Sequence, residues 1–275
     1  QEEHTYLQTV PITDRMDYLS AMTNNLGIAL AIEKLAGIQA PERAQYLRVI
    51  MAELQRIASH CFAQGVFLQD LGAWGSPLMY FLREREQVLD MFEMVCGARL
   101  TYNYIRPGGV SQDVPPAFFP AVNSFLETFP AKLDEYEDLL WKNEILRART
   151  VNVGIIPREL AVSASFSGPM LRASGVQWDL RKHDPYCVYD RFEFDVPVGQ
   201  TGDCFDRFMV RFYEMRESVK ILKQALEQLP AGEWKAPVPI VLRPPAGDAF
   251  QMIESPRGML GYYLVSDGGA NAWRF

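Results

Sequence analysis

The 275 residues are 48% hydrophobic and 22% charged, an ordinary globular balance with enough apolar material for one large core or two unequal ones. A formal net charge of -7 and a pI near 5.1 argue against nucleic acid as a partner and against direct docking on anionic lipid. There is no run of roughly 18 apolar residues to span a bilayer, and no signal peptide opens the chain.

In chain order, the first half reads as long amphipathic helices. Thr13 or Asp14 is placed to cap a helix carrying Met16, Leu19, Met22, Leu26 and Leu30, with Gly37 just past its end. Pro41 suits the first position of a second helix. Its apolar residues Leu47, Ile50, Leu54, Ile57, Cys61 and Leu68 recur mostly at three- and four-residue steps. Ser76-Pro77 opens a third helix to about Leu100, its apolar side interrupted by Arg83, Glu84, Arg85 and Glu86. Arg106-Pro107-Gly108-Gly109 then reads as a loop.

A fourth helical stretch covers roughly 116–146, which Pro120 and Pro130 should kink or divide. Residues 150–202 read as irregular, with a strand-like piece from Phe192 to Val198, and Asp203 caps a last long helix through about Leu229. The proline-rich run from Pro237 to Pro245 is an extended connector. Residues 249–254 and 259–266 form a hairpin turning at Pro256-Arg257-Gly258. The fold class expected is mainly α, with a long-helix core over residues 1–230 and a small β appendage in 231–275.

The chemistry legible in single residues is sparse. Cys61, Cys96, Cys187 and Cys204 form no C-x-x-C pair, and their spacing suits neither zinc nor an iron–sulfur cluster. They read as reduced, mostly buried thiols of a reducing compartment. No glycine-rich dinucleotide motif or P-loop occurs. With only His4, His60 and His183, a histidine-based metal site or triad has little to work with, and His60 reads as a packed or solvated helix residue. Asp70 closes an apolar helical run, where it faces the negative end of the helix dipole at a cost of a few tenths to about 1 kcal/mol. It is either an exposed loop carboxylate or a functional one. Tyr18 lies in the first turns of its helix, beside Arg15 and Asp17. It is either a half-buried packing residue or a hydrogen-bond donor and proton source. Alone, these residues name no reaction.

Several strings together are more specific. They are Tyr6-Leu7-Gln8, Asp14-Arg15-Met16-Asp17-Tyr18-Leu19, Ala31 to Leu35, Pro41 to Ala44, Ala58-Ser59-His60, Leu68 to Ala73 and Arg83 to Glu86. Further along come Asn103 to Val110, Leu171 to Lys182, Phe194 to Gly199, Gly202 to Arg207, Glu214 to Ser218 and Leu264 to Gly269. In this order, over nearly the whole chain, they resemble the D subunits of respiratory complex I, relatives of the nickel–iron hydrogenase large subunit.

The resemblance implies a subunit of a proton-pumping NADH:quinone oxidoreductase, an enzyme only within its multisubunit complex, which forms the quinone-reduction site. Tyr18 would hydrogen-bond the quinone head group and supply a proton. Asp70 would hold and charge a histidine on an N-terminal hairpin, which would precede Gln1. Electrons would come from the terminal 4Fe-4S cluster of a partner subunit, and nothing is held covalently. Other peripheral-arm and membrane-arm subunits would be partners, at the cytoplasmic or matrix face of an energy-transducing inner membrane. The chain alone would be neither stable nor active. Some close relatives take electrons from ferredoxin or a deazaflavin instead of NADH. The family's flanking segments would lie outside this sequence, which reads as part of a longer chain. A helical segment usual before the hairpin is lacking at Arg243, either because this member is shortened or, the preferred reading, because a loop has been closed up in the numbering. The rival readings are the large subunit of a membrane-bound nickel–iron hydrogenase and a non-catalytic scaffold of such a complex.

Overall fold

A computed structural model describes residues 2–73 and 75–275, and its centre is helix α3 (Glu42–Asp70). The sequence explains that position: every residue from Tyr46 to Cys61 is buried, so the helix is enclosed on all sides. Its polar members Arg48, Glu53, Gln55, Arg56 and His60 must therefore find partners inside the protein. Around it pack α2 (Ala21–Ala36), α4 (Ser76–Cys96) and α10 (Cys204–Glu227), while α5 (Phe118–Leu140) lies against α4 and α10. Five shorter helices complete the described set: α1 (Tyr6–Thr13), α6 (Glu144–Thr150), α7 (Arg158–Ser163), α8 (Gly168–Ala173) and α9 (Leu180–His183).

Among the described residues the β-sheet content is two antiparallel pairs. One joins β1 (Ile105–Arg106) to β2 (Gly109–Val110); the other is the hairpin of β3 (Gly247–Ser255) and β4 (Gly258–Ser266), in register from Gly247↔Ser266 to Ser255↔Gly258. The hairpin lies on α2, and with α1 it encloses a second small core of Tyr6, Val10, Ile28, Ile32, Ala249, Tyr262 and Leu264. Close approach is possible because residue 27 is glycine: a Cβ there would stand 2.6 Å from the Tyr262 ring. The architecture is mainly α with a small β part, as the residue patterns indicate. Among the described residues no helix is long and apolar enough to cross a membrane.

Several expected boundaries move. The first helix does not start at Thr13 or Asp14: Thr13 ends α1, residues 14–20 are turns, and α2 begins after Ser20. The Asn24 amide reaches back from the first turn of α2 to the carbonyls of Thr13 (2.9 Å) and Asp17 (3.0 Å), fixing a break that no local rule signals. Tyr18 is therefore on a turn, not on a helix. Pro41 is the residue before α3 rather than its first, and α4 stops at Gly97, which adopts a left-handed φ of 73°.

The prolines do not divide residues 118–140. Pro120 falls in the first turn, where its missing N–H is no loss, and the helix continues through Pro130. The division comes at Asn143, whose side chain accepts the Leu146 N–H at 3.0 Å and caps α6. Phe192 to Val198 is extended but is not a strand. The Glu193 and Asp195 N–H groups donate to Gln224 (2.9 Å) and Glu217 (2.8 Å) of α10 instead of to a ladder. Asp203 caps α10 as expected, accepting the Asp206 N–H at 2.8 Å.

Candidate active site

The C-terminal half of α3 forms one wall of a cavity of about 380 Å³. Its other walls come from Leu19 in the turn before α2, Met170 of α8, the first two turns of α10, and Pro256-Arg257 at the tip of the hairpin. Backbone meets backbone where two of these walls join. A Cβ on Gly168 would stand 2.3 Å from the Gly258 Cα, so the start of α8 and the hairpin turn are packed as tightly as glycine allows. From α3 the lining is chiefly apolar, with Phe62, Ala63, Val66 and Phe67. His60, Arg207, Arg211 and Arg257 supply its ionisable groups, and Cys204 a thiol.

Tyr18 and Asp70 stand on either side of this cavity along the chain. Tyr18 precedes Leu19 and is 57% exposed, and Asp70 follows Phe67 by one turn at the exposed end of α3. Among the described residues neither side chain makes a hydrogen bond or ion pair, and the two are not joined to each other. The turn around Tyr18 is held by Asp17, which accepts the Leu19 N–H at 3.2 Å and pairs with Arg257. Asp14, also in this turn, is enclosed; burial pushes its carboxyl up to about 6 although the Asn103 N–H donates to it at 3.2 Å. At the end of α3 the Arg149 guanidinium donates to the Leu71 carbonyl, placing a cation where the helix dipole is negative and offsetting the cost of Asp70.

Behind the cavity wall lies an ionic network that the residue patterns did not reveal. His60 Nε2 is 2.7 Å from Glu214 Oε2, and Arg172 Nε donates to Glu214 Oε1 at 2.8 Å. Arg172 also donates to Glu254 at 2.8 Å, Arg181 joins Asp179 (2.6 Å) to Glu53 (3.1 Å), and Arg56 lies 3.3 Å from Glu53. Tyr189 and Ser218 add hydroxyl donors to Glu53 at 2.6 and 2.7 Å. These four carboxylates and three guanidiniums are at most 1% exposed.

The electrostatic consequences follow from burial and partners. Burial lowers the His60 pKa to about 4 against the opposing pull of Glu214, so at neutral pH the ring is uncharged and its Nε2–H donates to the carboxylate. Burial would raise Glu214, but Arg172 and the His60 N–H outweigh it and hold the carboxyl well below the usual range. Glu53 is likewise lowered, burial being overruled by Arg56 and Arg181, whereas Glu254 is raised because burial prevails over Arg172. One signal was present in the sequence: Glu53, Arg56 and His60 recur at helical steps on a stripe otherwise apolar, where solitary charges would not be tolerated. The four cysteines are free thiols, Cys61 fully buried. Burial raises the Cys61 thiol.

Comparison with known proteins gives a consistent result. The family described as "Respiratory-chain NADH dehydrogenase, 49 Kd subunit" matches residues 70–243 and 238–275. A protein of Dehalococcoides mccartyi, named as the D subunit of NADH-quinone oxidoreductase, is 56% identical over 274 residues, covering 100% of this chain and 75% of its own length. A Clostridium beijerinckii protein of the same name is 53% identical over 273 residues, covering 99% of this chain and 74% of its own. The first of the numbered D subunits of Roseiflexus is 51% identical over 287 residues, covering 100% and 75%.

Proposed function

The chain belongs to the 49 kDa-subunit family of respiratory-chain NADH dehydrogenases, and from that premise we propose that the cavity beside α3 is where it handles quinone. It is the D-type member of an NADH-quinone oxidoreductase of the complex I family, one part of a multisubunit oxidoreductase. The observation that carries the finer reading is the cavity itself. It is apolar enough for a quinone ring, and it is flanked by Leu19 next to Tyr18 and by Phe67 one turn before Asp70.

The reaction is quinone plus two electrons and two protons giving quinol. The electrons come from a 4Fe-4S cluster of a neighbouring subunit. This chain supplies the pocket and protons. The Tyr18 hydroxyl donates to a ring oxygen, and a reduced quinone oxygen is basic enough to take its proton at neutral pH. Asp70 stabilises the cationic partner from which Tyr18 is reprotonated. The resulting charge shift is the step that couples to proton pumping in membrane-arm subunits, with this subunit peripheral at the cytoplasmic or matrix face.

The test is NADH-driven quinone reduction by membranes carrying Tyr18→Phe or Asp70→Asn, beside ferricyanide reduction by the same membranes. We expect each variant to lose quinone turnover by about 10²-fold or more, with ferricyanide reduction unchanged. A Tyr18→Phe complex that reduces quinone as the wild type does would make Tyr18 a surface residue and move the proton source elsewhere.

A further inference from the structure

The cavity has an electropositive side that proton donation by Tyr18 leaves unused. Arg207 and Arg211 stand one turn apart on α10 and both line it. Among the described residues neither has a carboxylate as an ion-pair partner. Arg207 donates to the carbonyls of Gly202 (2.6 Å) and Gly154 (2.8 Å) and to Cys204 Sγ (3.0 Å), and Arg211 donates to the Arg207 carbonyl at 2.6 Å. Carbonyls satisfy guanidinium donors without cancelling the charge. Arg257, the third cation of the wall, is bound to Asp17. Glu214 lies one turn beyond Arg211, but it is committed to His60 and Arg172.

Much of the remaining lining is apolar, including Leu19, Phe62, Phe67 and Met170, and its further polar members Ser59 and Gln64 are uncharged. Burial pulls the Arg211 pKa down, with Glu214 opposing only in part. An uncompensated guanidinium against an apolar wall is costly, and the cost is relieved when an anion joins it.

We propose that Arg211, supported by Arg207, holds the quinone oxygen on which negative charge develops as electrons arrive. This rests on the cavity being the quinone site and adds a charge-holding role distinct from proton donation. Two electrons from the neighbouring iron–sulfur cluster reduce the ring, and each ring oxygen carries negative charge until a proton adds to it. One proton comes from the Tyr18 hydroxyl and the other from solvent water. The quinol formed is neutral, gains nothing from the guanidiniums, and is free to leave. Fixed donors aimed at developing charge act in this way in other enzymes, where removing one costs about 10²–10³ in kcat.

The experiment uses the assembled complex in membranes, with NADH as donor and a short-chain benzoquinone as acceptor. Two inhibitors are compared on the wild type: a hydroxynaphthoquinone, ionised at neutral pH, and its neutral methyl ether. The ionised compound should inhibit at about tenfold lower concentration, equivalent to roughly 1.4 kcal/mol. Arg211→Gln should abolish that preference and lower kcat by about 10²-fold with little change in KM, and Arg211→Lys should restore most of both. The loss should deepen from about pH 6 to about pH 8, because protons substitute for the guanidinium when they are plentiful. A merely structural defect would lower the rate equally at every pH and would lower ferricyanide reduction as well. If Arg211→Gln fails to assemble, the inhibitor pair on the wild type decides.

Equal potency of the two inhibitors, or an Arg211→Gln kcat within about twofold of wild type across the pH range, overturns the inference. Failure of this inference alone is recognisable, since Tyr18→Phe would still abolish quinone turnover. Failure of the Tyr18 reading alone would show the reverse: Arg211→Gln impaired and Tyr18→Phe active.

Discussion

His60 carries a stability signature that can be separated from any role in turnover. Its pKa in the fold is about 4 against an ordinary 6.5, because burial disfavours the imidazolium. Between those values the unfolded chain binds a proton that the folded chain refuses. Stability from this residue is therefore present above about pH 6.5 and lost as pH falls towards about 4, by at most about 3 kcal/mol. Glu214 is depressed too, so its contribution is present above its unfolded pKa near 4.5 and disappears in stronger acid. Proteolysis of this subunit on heating the assembled complex should set in at lower temperature at pH 5 than at pH 7.5. His60→Gln keeps an N–H for Glu214 but does not titrate. It should flatten that difference and leave the acid-side loss intact, and an unchanged difference would assign the slope to other groups. The residue scale is also where the sequence spoke least clearly. Tyr18 and Asp70 were reached only through the resemblance, because an exposed tyrosine and an exposed helix-end aspartate are ordinary in themselves. His60 read as ordinary because its partner lies 154 residues away on α10.

At the scale of elements, periodicity was a good guide wherever one helix face decides burial. The buried stripe of α3, the Asp203 cap of α10 and the hairpin turn at Pro256-Arg257 all lie where local rules put them. Two of the failures share a cause: a side chain outside the segment settled its local structure. Asn24 breaks the chain between α1 and α2, and Gln224 and Glu217 draw Phe192–Val198 along α10. The junction of α8 with the hairpin is likewise invisible to local rules, and it positions Met170, Pro256 and Arg257 around the cavity. Gly168 has a φ of 61° and faces the Gly258 backbone, so Gly168→Ala meets strain and a clash that no rotamer change can relieve. Destabilisation of about 3 kcal/mol or more is expected, with loss of quinone reduction. Gly97→Ala provides the comparison: its φ is 73° but open space surrounds it, so only about 1 kcal/mol of strain is expected. Thermal proteolysis of the two variants in the assembled complex measures both, and equal effects would mean that the junction is looser than the backbone contact implies.

For the whole molecule, the buried ionic network ties α8, α10 and β3 to the central helix α3 through charge in addition to packing. Arg172, on α8, reaches Glu214 of α10 and Glu254 of β3, and also donates to the Trp178 carbonyl at 2.9 Å. Arg181 and Arg56 extend the connection to Glu53 at the middle of α3. Burying so many charges contributes little net stability compared with an apolar core, but each partner strands the others if it is removed. Arg172→Met should therefore cost about 3–5 kcal/mol. Because the stranded carboxylates sit on different elements, amide exchange should quicken together in α8, α10 and β3. Adding Glu214→Gln and Glu254→Gln to Arg172→Met removes both stranded charges and should recover part of the loss, even though three polar contacts have gone. Quickened exchange confined to α8 would mean that the arginine only packs its own helix. A triple variant no more stable than Arg172→Met would mean that lost hydrogen bonds, not stranded charge, set the cost. Recovery would establish that α3, α8, α10 and the hairpin, four of the cavity's five walls, are held in register by electrostatic necessity. Such a frame can carry Arg211 unpaired at its edge, because the anion that relieves it is then supplied by the ligand.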